Sequence, residues 1–398
     1  MSALLLDWLE LLVRWTHVIA AITWIGSSFY FIALDASLKP NARLDSRVKG
    51  EAWQVHGGGF YNMQKFTVAP EFMPAELTWF KWEAYGTWIF GFSLLVLVYY
   101  VNASLYLIDP AVRAITPDTA VTIGLGSLVL GWFGYDALCR SRIGNDTGKL
   151  ALAGFVLMIG MAFFYSRVFS GRGAFIQIGA LVGTIMAANV LMIIIPNQRK
   201  VVRSLLAGEA PDPKLGFIAK QRSLHNNYMT LPVLFTMLSN HYAFTYQSHW
   251  NWLVLACVFI ASFLVRHWFN VLHTGEKPDW RLWPAAAVPL LAVVLLQAAT
   301  TGLFSPQPVQ AAVNFTEVQG IVAQRCHLCH AAKPAFTGFT QPPKNIMFDT
   351  AQQIVTQAPL IYAQAVTTRA MPLGNITQIT DAERDAISAW FKAGAKGP

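Results

Sequence analysis

The sequence predicts an all-α protein, in which a polytopic membrane helix bundle of about eight transmembrane helices precedes a small helical C-terminal domain. Of the 398 residues, 55% are hydrophobic and only 13% are charged, which is typical of a membrane protein. Eight apolar segments are each long enough to span a bilayer, which takes about 20 residues. A Cys-x-x-Cys-His motif lies beyond the last of them, at residues 326–330.

The apolar segments are separated by loops of unequal charge. They lie near residues 9–34, 85–108, 119–138, 150–169, 174–196, 227–245, 250–272 and 282–303. The first is too long and continuous for a cleavable signal peptide, so we expect it to remain as a helix. Alternate loops are rich in lysine and arginine, whereas the opposite loops carry only Arg113, Arg167 and Arg172. By the positive-inside rule, the basic loops are cytoplasmic.

This charge pattern predicts orientation and location. An even number of spans puts both termini outside, so we expect a multi-pass protein of the bacterial inner membrane, with a periplasmic N-terminus and a periplasmic C-terminal domain. The net charge of +8 is spread over the loops, which indicates topology control within a lipid membrane rather than nucleic-acid binding. We predict a membrane domain at 1–304, a Pro-rich linker at 305–313 and the C-terminal domain at 314–398.

The first predicted cytoplasmic connection, about residues 35–84, is too long for a simple hairpin and too aromatic to be disordered. It contains His56-Gly57-Gly58-Gly59, where glycines allow a close approach of the backbone. Two interpretations stay open: a folded cap over a cytoplasmic pocket, or an interfacial amphipathic segment with an aromatic belt.

The first apolar segment carries Glu10, Arg14 and His17 on one helical face. Ionisable residues at membrane depth are costly and are therefore functional candidates. His17 is a candidate axial ligand of a membrane-embedded haem b, with His241 and His249 as possible partners and Arg14 as a partner for a haem propionate. Alternatively, Glu10 pairs with Arg14, and His17 only bonds to a neighbouring helix.

A second polar cluster is predicted near the cytoplasmic ends of the helices. Its members are His56, Glu83, Asn189, Asn197, His225, Asn226, Asn227, Arg266, His267, Asn270 and His273. Such a set suits a small, planar, polar, anionic ligand, with Arg266 or Arg222 available for its charge. It could equally hold a second haem through two of the histidines. For any one member, a polar role at a helix end is the plainer interpretation.

The Cys326-His327-Leu328-Cys329-His330 motif points to one covalent haem c. Each cysteine can form a thioether with a haem vinyl group, and His330 can then ligate the iron. A zinc site would need further Cys or His ligands, and none follows His330. A redox Cys-x-x-Cys pair is disfavoured because no βαβ pattern surrounds it. Haem c is attached on the outer face of the membrane, which agrees with the predicted topology.

The flanks of the motif complete what looks like a class I cytochrome c. Upstream, Phe315, Val318, Ile321 and Val322 repeat at helical spacing. Downstream, Met371 is the predicted second axial ligand, and Met347 is its competitor. A capping box, Thr380-Asp381-Ala382-Glu383, opens a final helix with Ile387, Trp390 and Phe391 on its apolar side.

Several strings of residues resemble one family over essentially the whole chain. They are Trp15-Thr16-His17, Trp24-Ile25-Gly26, His56-Gly57-Gly58-Gly59-Phe60-Tyr61, Trp82-Glu83-Ala84-Tyr85, His225-Asn226-Asn227-Tyr228, Leu231-Pro232-Val233-Leu234-Phe235, Ser239-Asn240-His241-Tyr242 and the haem motif. With these strings the chain resembles the bacterial membrane-bound urate oxidases of the PuuD type, which fuse a membrane domain to a C-terminal cytochrome c.

The resemblance implies conversion of urate to 5-hydroxyisourate, with electrons leaving through the cytochrome rather than directly to O₂. The expected acceptor is a respiratory chain, through a soluble cytochrome c or a terminal oxidase. His225, His56, Glu83 and His267 are the candidate catalytic residues, since proton transfer needs a group that titrates near the working pH. The alternatives are a non-catalytic haem subunit that passes electrons from quinol or a dehydrogenase to cytochrome c, and a transporter or sensor.

Overall fold

The computed structural model describes residues 3–70, 72–74, 76–300 and 313–398. The predicted linker sequence Ser305-Pro306-Gln307-Pro308 lies outside the described residues. Most of the described chain is helical, as predicted.

Each of the eight predicted apolar segments contains a helix. The helices before the C-terminal domain are α1 (Ala3–Ser37), α2 (Trp82–Leu94), α3 (Ala103–Tyr106), α4 (Pro117–Arg140), α5 (Thr147–Ser166), α6 (Gly171–Ala188), α7 (Ile195–Leu206), α8 (Pro213–Leu238), α9 (Asn251–His273) and α10 (Leu282–Thr300). A π-helical turn, Leu95–Tyr100, extends α2, and another, Asn189–Ile194, joins α6 to α7.

Six helical stretches in the described chain are long and apolar enough to cross a membrane. They are Leu4–Ser37, Pro117–Arg140, Thr147–Ser166, Gly171–Leu206, Asn251–His273 and Leu282–Ala299. The helices at the predicted segments 85–108 and 227–245 are not among them. α2 has only 13 residues, and α8 begins with a strongly polar stretch that includes Lys220, Arg222 and Asn226. The count of eight spans therefore stays a prediction.

Side-chain caps fix where several of these helices begin. Thr116, Asp146, Ser170 and Asp212 precede α4, α5, α6 and α8, and each accepts a hydrogen bond from a backbone N–H of the first turn. Such caps satisfy donors that have no partner inside the helix. The loops between the apolar segments thus specify the helix starts locally.

α6 lies in the core of the bundle. Phe175, Leu181 and Ile185 are fully buried there. The helix also approaches α8 closely, because a Cβ at Gly179 would clash with Thr236 Oγ1. In contrast, α1 and α10 expose most of their apolar side chains, as expected of helices that face lipid.

A β-hairpin is an exception to the all-α prediction. It consists of β1 (Val48–His56) and β2 (Gly59–Phe66), paired antiparallel within the connection 35–84. Gly57 and Gly58 form its two-residue turn with φ of 60° and 80°, values that glycine adopts far more readily than other residues. The hairpin is tied to α1 by a 2.8 Å hydrogen bond from Tyr30 Oη to Gln54 Oε1. The connection is therefore folded, but as a strand pair.

The C-terminal domain contains five short helices around its own core. They are α11 (Phe315–Arg325), α12 (His327–His330), α13 (Ala351–Thr356), α14 (Ala358–Ile361) and α15 (Asp381–Lys392).

The helices predicted on either side of the haem motif are confirmed. Val318 and Val322 of α11 pack with Ile387 and Trp390 of α15 in the core, and all four are buried. The capping box at Thr380 makes both of its reciprocal hydrogen bonds. α11 and α15 thereby hold the motif against a common core.

Candidate functional site

Four residues predicted to hold the haem share one cavity of the C-terminal domain. Cys326, Cys329, His330 and Met371 all line it, and its volume is about 310 Å³. Met347 is not among its lining residues. Much of the remaining wall is apolar: Phe339, Ile346, Phe348, Leu360, Ile361 and Leu373. An apolar cavity with a few convergent ligating groups is typical of a cofactor site.

The orientation of His330 is compatible with ligation of a haem iron. His330 Nδ1 lies 2.9 Å from the Ile346 carbonyl oxygen, so an Nδ1–H donated to that oxygen leaves Nε2 free to ligate a metal. Both cysteines are free thiols. In the described ranges, no group of three or more His, Cys, Asp or Glu residues is arranged to hold a metal ion. These residues fit the predicted haem c.

The thiols do not resemble those of a redox Cys-x-x-Cys site. Burial raises the pKa of the Cys326 thiol to about 12 and also raises the pKa of Cys329. Reactive redox cysteines have a lowered pKa, which maintains the thiolate. Burial therefore favours the neutral thiol at both positions.

In the bundle, His225 belongs to a cluster whose polar groups are mostly paired. Its Nδ1 lies 2.7 Å from Tyr135 Oη, which accepts a 3.1 Å hydrogen bond from Asn189 Nδ2. Arg222 Nη2 forms a 2.6 Å ion pair with Asp136 Oδ1. The charge of Arg222 is thus already neutralised by a carboxylate of α4.

A second group, here called the Arg266 cluster (Asn227, Arg266 and Asn270), is not fully paired. Asn227 Oδ1 accepts 2.9 Å hydrogen bonds from Arg266 Nε and from Asn270 Nδ2. The Arg266 guanidinium carbon lies 3.7 Å from the centre of the Phe29 ring of α1. Asn227 is 0% exposed and Arg266 is 4% exposed.

Three buried atoms of the Arg266 cluster have no hydrogen-bond partner: Asn227 Nδ2, Arg266 Nη2 and Asn270 Oδ1. No carboxylate pairs with Arg266 anywhere in the described chain. Buried polar groups are normally hydrogen-bonded, and a buried charge without a partner is costly. The cluster therefore offers two donors, one acceptor and a positive charge to a small anionic ligand.

The other catalytic candidates are dispersed. His267 Nδ1 lies 2.8 Å from Tyr228 Oη, and the two rings stack. Glu83 Oε2, on α2, is buried without a partner. His56 lies at the exposed tip of the hairpin, and no hydrogen bond joins it to another candidate in the parts that the structure describes. The sequence-predicted cluster is thus divided into separate groups.

Near the N-terminal end of α1, the charged residues make the contacts of the alternative without a haem. Glu10 forms an ion pair with Arg14, and His17 Nδ1 lies 2.9 Å from the Thr87 carbonyl oxygen. His241 is exposed in a short 3₁₀ turn after α8, and no hydrogen bond or ring contact links it to His17 within the described ranges. A haem b ligated by His17 stays a prediction.

Three site residues were not singled out from the sequence: Phe29, Tyr135 and Asp136. The sequence could have indicated Asp136, because an ionisable residue within an apolar segment, here 119–138, is a functional candidate. Nothing in the sequence distinguishes Phe29 and Tyr135, since aromatic side chains are common throughout the bundle.

These features define a helical protein with several helices long and apolar enough to cross a membrane. A buried, incompletely paired cationic cluster lies among its helices, and a small helical part follows them. The chain belongs to the urate oxidase N-terminal family, whose model matches residues 3–298. The match covers the bundle and indicates a urate-related oxidoreductase. No curated protein and no solved structure matches the chain.

Proposed function

We propose that this protein is a urate oxidase of the bacterial inner membrane that converts urate to 5-hydroxyisourate. Electrons would pass to a haem c in its own C-terminal domain, on the periplasmic side, and then to a respiratory chain. Family membership supports the substrate, and the unpaired Arg266 cluster is the observation that carries the proposal.

The Arg266 cluster matches the chemistry of urate. Urate is small, planar and anionic, with carbonyl oxygens and ring N–H groups around its edge. Arg266 Nη2 and Asn227 Nδ2 would donate to its oxygens or anionic nitrogen, and Asn270 Oδ1 would accept from a ring N–H. Binding would pair the three buried atoms at once, which favours the occupied state.

The oxidation also requires proton transfer, because uric acid and water give 5-hydroxyisourate, two protons and two electrons. We propose His267 as the base. It precedes Asn270 by three residues, so both lie on one face of α9. With Nδ1–H donating to Tyr228 Oη, its Nε2 would be left to accept a proton. His225 and Glu83 are the next candidates.

The C-terminal cavity would receive the electrons. Cys326, Cys329, His330 and Met371 would hold a haem there, and the haem would supply a one-electron acceptor. His330 is oriented by Ile346, and the apolar wall limits the access of water.

An anaerobic visible spectrum of the detergent-solubilised protein tests the proposal. Adding urate should reduce the c-type α-band while the absorbance of urate disappears. A further shoulder at longer wavelength would reveal a haem b. If urate leaves the band oxidised and a quinol reduces it, the urate assignment is wrong, and the chain is an electron-transfer subunit.

Met371→Ala is expected to lower the midpoint potential while the haem stays attached. The shift should be on the order of tenths of a volt, because axial ligands set haem potentials over a range of about 0.8 V. Spectroelectrochemical titration measures it, with Met347→Ala as the matched control, since Met347 does not line the cavity. A shift in Met347→Ala alone would assign the ligand to that residue instead.

A further inference from the structure

We propose that the segment Ala103–Ile108 of the bundle, with Asp109, is the docking surface for the cofactor cavity of the C-terminal domain. We name this segment the docking segment. Leu105 closes the cavity, and electrons enter the C-terminal domain there. This inference deepens the proposed function and rests on it for the direction of electron flow.

Leu105 is part of the cavity wall. It lines the cavity together with Cys326, Cys329, His330 and Met371, and it is the one residue from the bundle among those that the structure places around the cavity. Leu105 is only 7% exposed. An apolar side chain of one domain therefore completes the ligand cavity of the other.

The backbones of the two domains meet at Gly374, three residues after Met371. Gly374 has a φ of 57°, and a Cβ there would lie 2.7 Å from the Leu105 carbonyl oxygen and 2.8 Å from that of Ser104. No side chain fits at that distance, so the loop that carries the predicted axial ligand needs glycine both for its conformation and for this contact.

The Asp109 carboxylate follows directly after this contact. Burial raises its pKa, while the side chain of Asn375 and the positive charge of Arg384 act in the opposite direction. Arg384 is buried and donates a 3.0 Å hydrogen bond to the Met371 carbonyl oxygen. Arg384 thereby supports the loop that carries Met371.

The docking segment is held rigidly by the bundle. The Ser170 backbone N–H donates to the Leu107 carbonyl oxygen at 2.9 Å, and Ser170 Oγ donates to the Tyr106 carbonyl oxygen at 2.9 Å. The Arg172 guanidinium lies 4.8 Å from the Tyr106 ring centre and 5.7 Å from the Tyr99 ring centre. The start of α6 thus fixes the surface against which the cavity closes.

The test uses the full-length, haem-loaded chain with Leu105→Asp and the milder Leu105→Ala. The matched control is Val112→Asp, which adds the same charge at an exposed position of the same loop. Haem content should be equal in all variants. Leu105→Asp should lower the midpoint potential beyond any shift in Val112→Asp, because charge and water at the cavity favour the oxidised iron. Leu105→Ala should shift it in the same direction by less.

The second measurement is the rate of haem reduction by urate and, separately, by dithionite. In Leu105→Asp the urate-driven rate should fall by about tenfold or more, since losing a central apolar anchor weakens an interface by that order. The dithionite rate should not fall.

The outcomes separate the two proposals. If urate fails to reduce the wild-type haem, the proposed function is wrong, and the potential shift still decides whether Leu105 closes the cavity. If Leu105→Asp matches Val112→Asp in potential, the docking surface is wrong. If the potential shifts but the urate-driven rate is unchanged, Leu105 closes the cavity without marking the point of electron entry, and that part of the inference is overturned.

Discussion

Replacing Cys326 and Cys329 together by alanine is expected to abolish covalent haem attachment and, with it, the reduction of the C-terminal domain by urate. The two thiols line the ligand cavity beside His330, and neither is paired in a disulfide. Without them no thioether can form, and His330 with Met371 would hold the haem by coordination alone. Haem staining of a denaturing gel measures the loss, because only covalently bound haem survives denaturation.

The matched control is Cys139→Ala with Cys257→Ala. These two cysteines are also free, but they lie in α4 and α9 of the bundle. This variant should keep both the stain and the urate-driven reduction of the α-band. Urate turnover that persists at the wild-type rate without covalent haem would show that the C-terminal domain is not the obligatory acceptor.

The helices could be predicted because their signals are local. An apolar helix must either pack its surface against other helices or expose it to lipid. Caps such as Thr116 and Asp146 mark where such a helix starts. The hairpin was missed because it depends on pairing between two strands that are both partly exposed. Its strands, Val48–His56 and Gly59–Phe66, lack the alternation of a strand with one buried face.

The same distinction applies to the sites. The Cys-x-x-Cys-His motif puts three of the predicted haem-binding residues within five consecutive positions, so sequence spacing alone brings them into one cavity. The prediction of Met371 rested only on the order of three features along the chain: the motif, the methionine and the final helix. The sites in the bundle could not be predicted in this way, because they depend on which helices pack against each other. Arg222 and Arg266 look alike in sequence, and they differ because α4 supplies Asp136 to one of them.

Arg266→Met is expected to abolish tight urate binding without destabilising the protein. Arg266 is buried with one nitrogen unpaired, and no carboxylate in the described chain neutralises it. A charge-assisted hydrogen bond contributes roughly 1.5–3 kcal/mol, so the affinity for urate should fall by about 10- to 100-fold. Replacing a buried charge by an apolar side chain of similar volume is often neutral or stabilising. The thermal midpoint without urate should therefore stay constant or rise.

Arg222→Met is the matched comparison, because it removes an equally buried arginine that does have a partner. It would break the ion pair with Asp136 and the hydrogen bond to Asn189, so the thermal midpoint should fall. Isothermal titration with urate and thermal unfolding without it would be measured on both variants. If Arg266→Met bound urate like the wild type but unfolded at a lower temperature, the guanidinium would be a structural support. The anion site would then have to be sought elsewhere in the bundle. Lost affinity with retained stability is the combination that a binding residue produces, because the bundle leaves that charge unpaired until the ligand arrives.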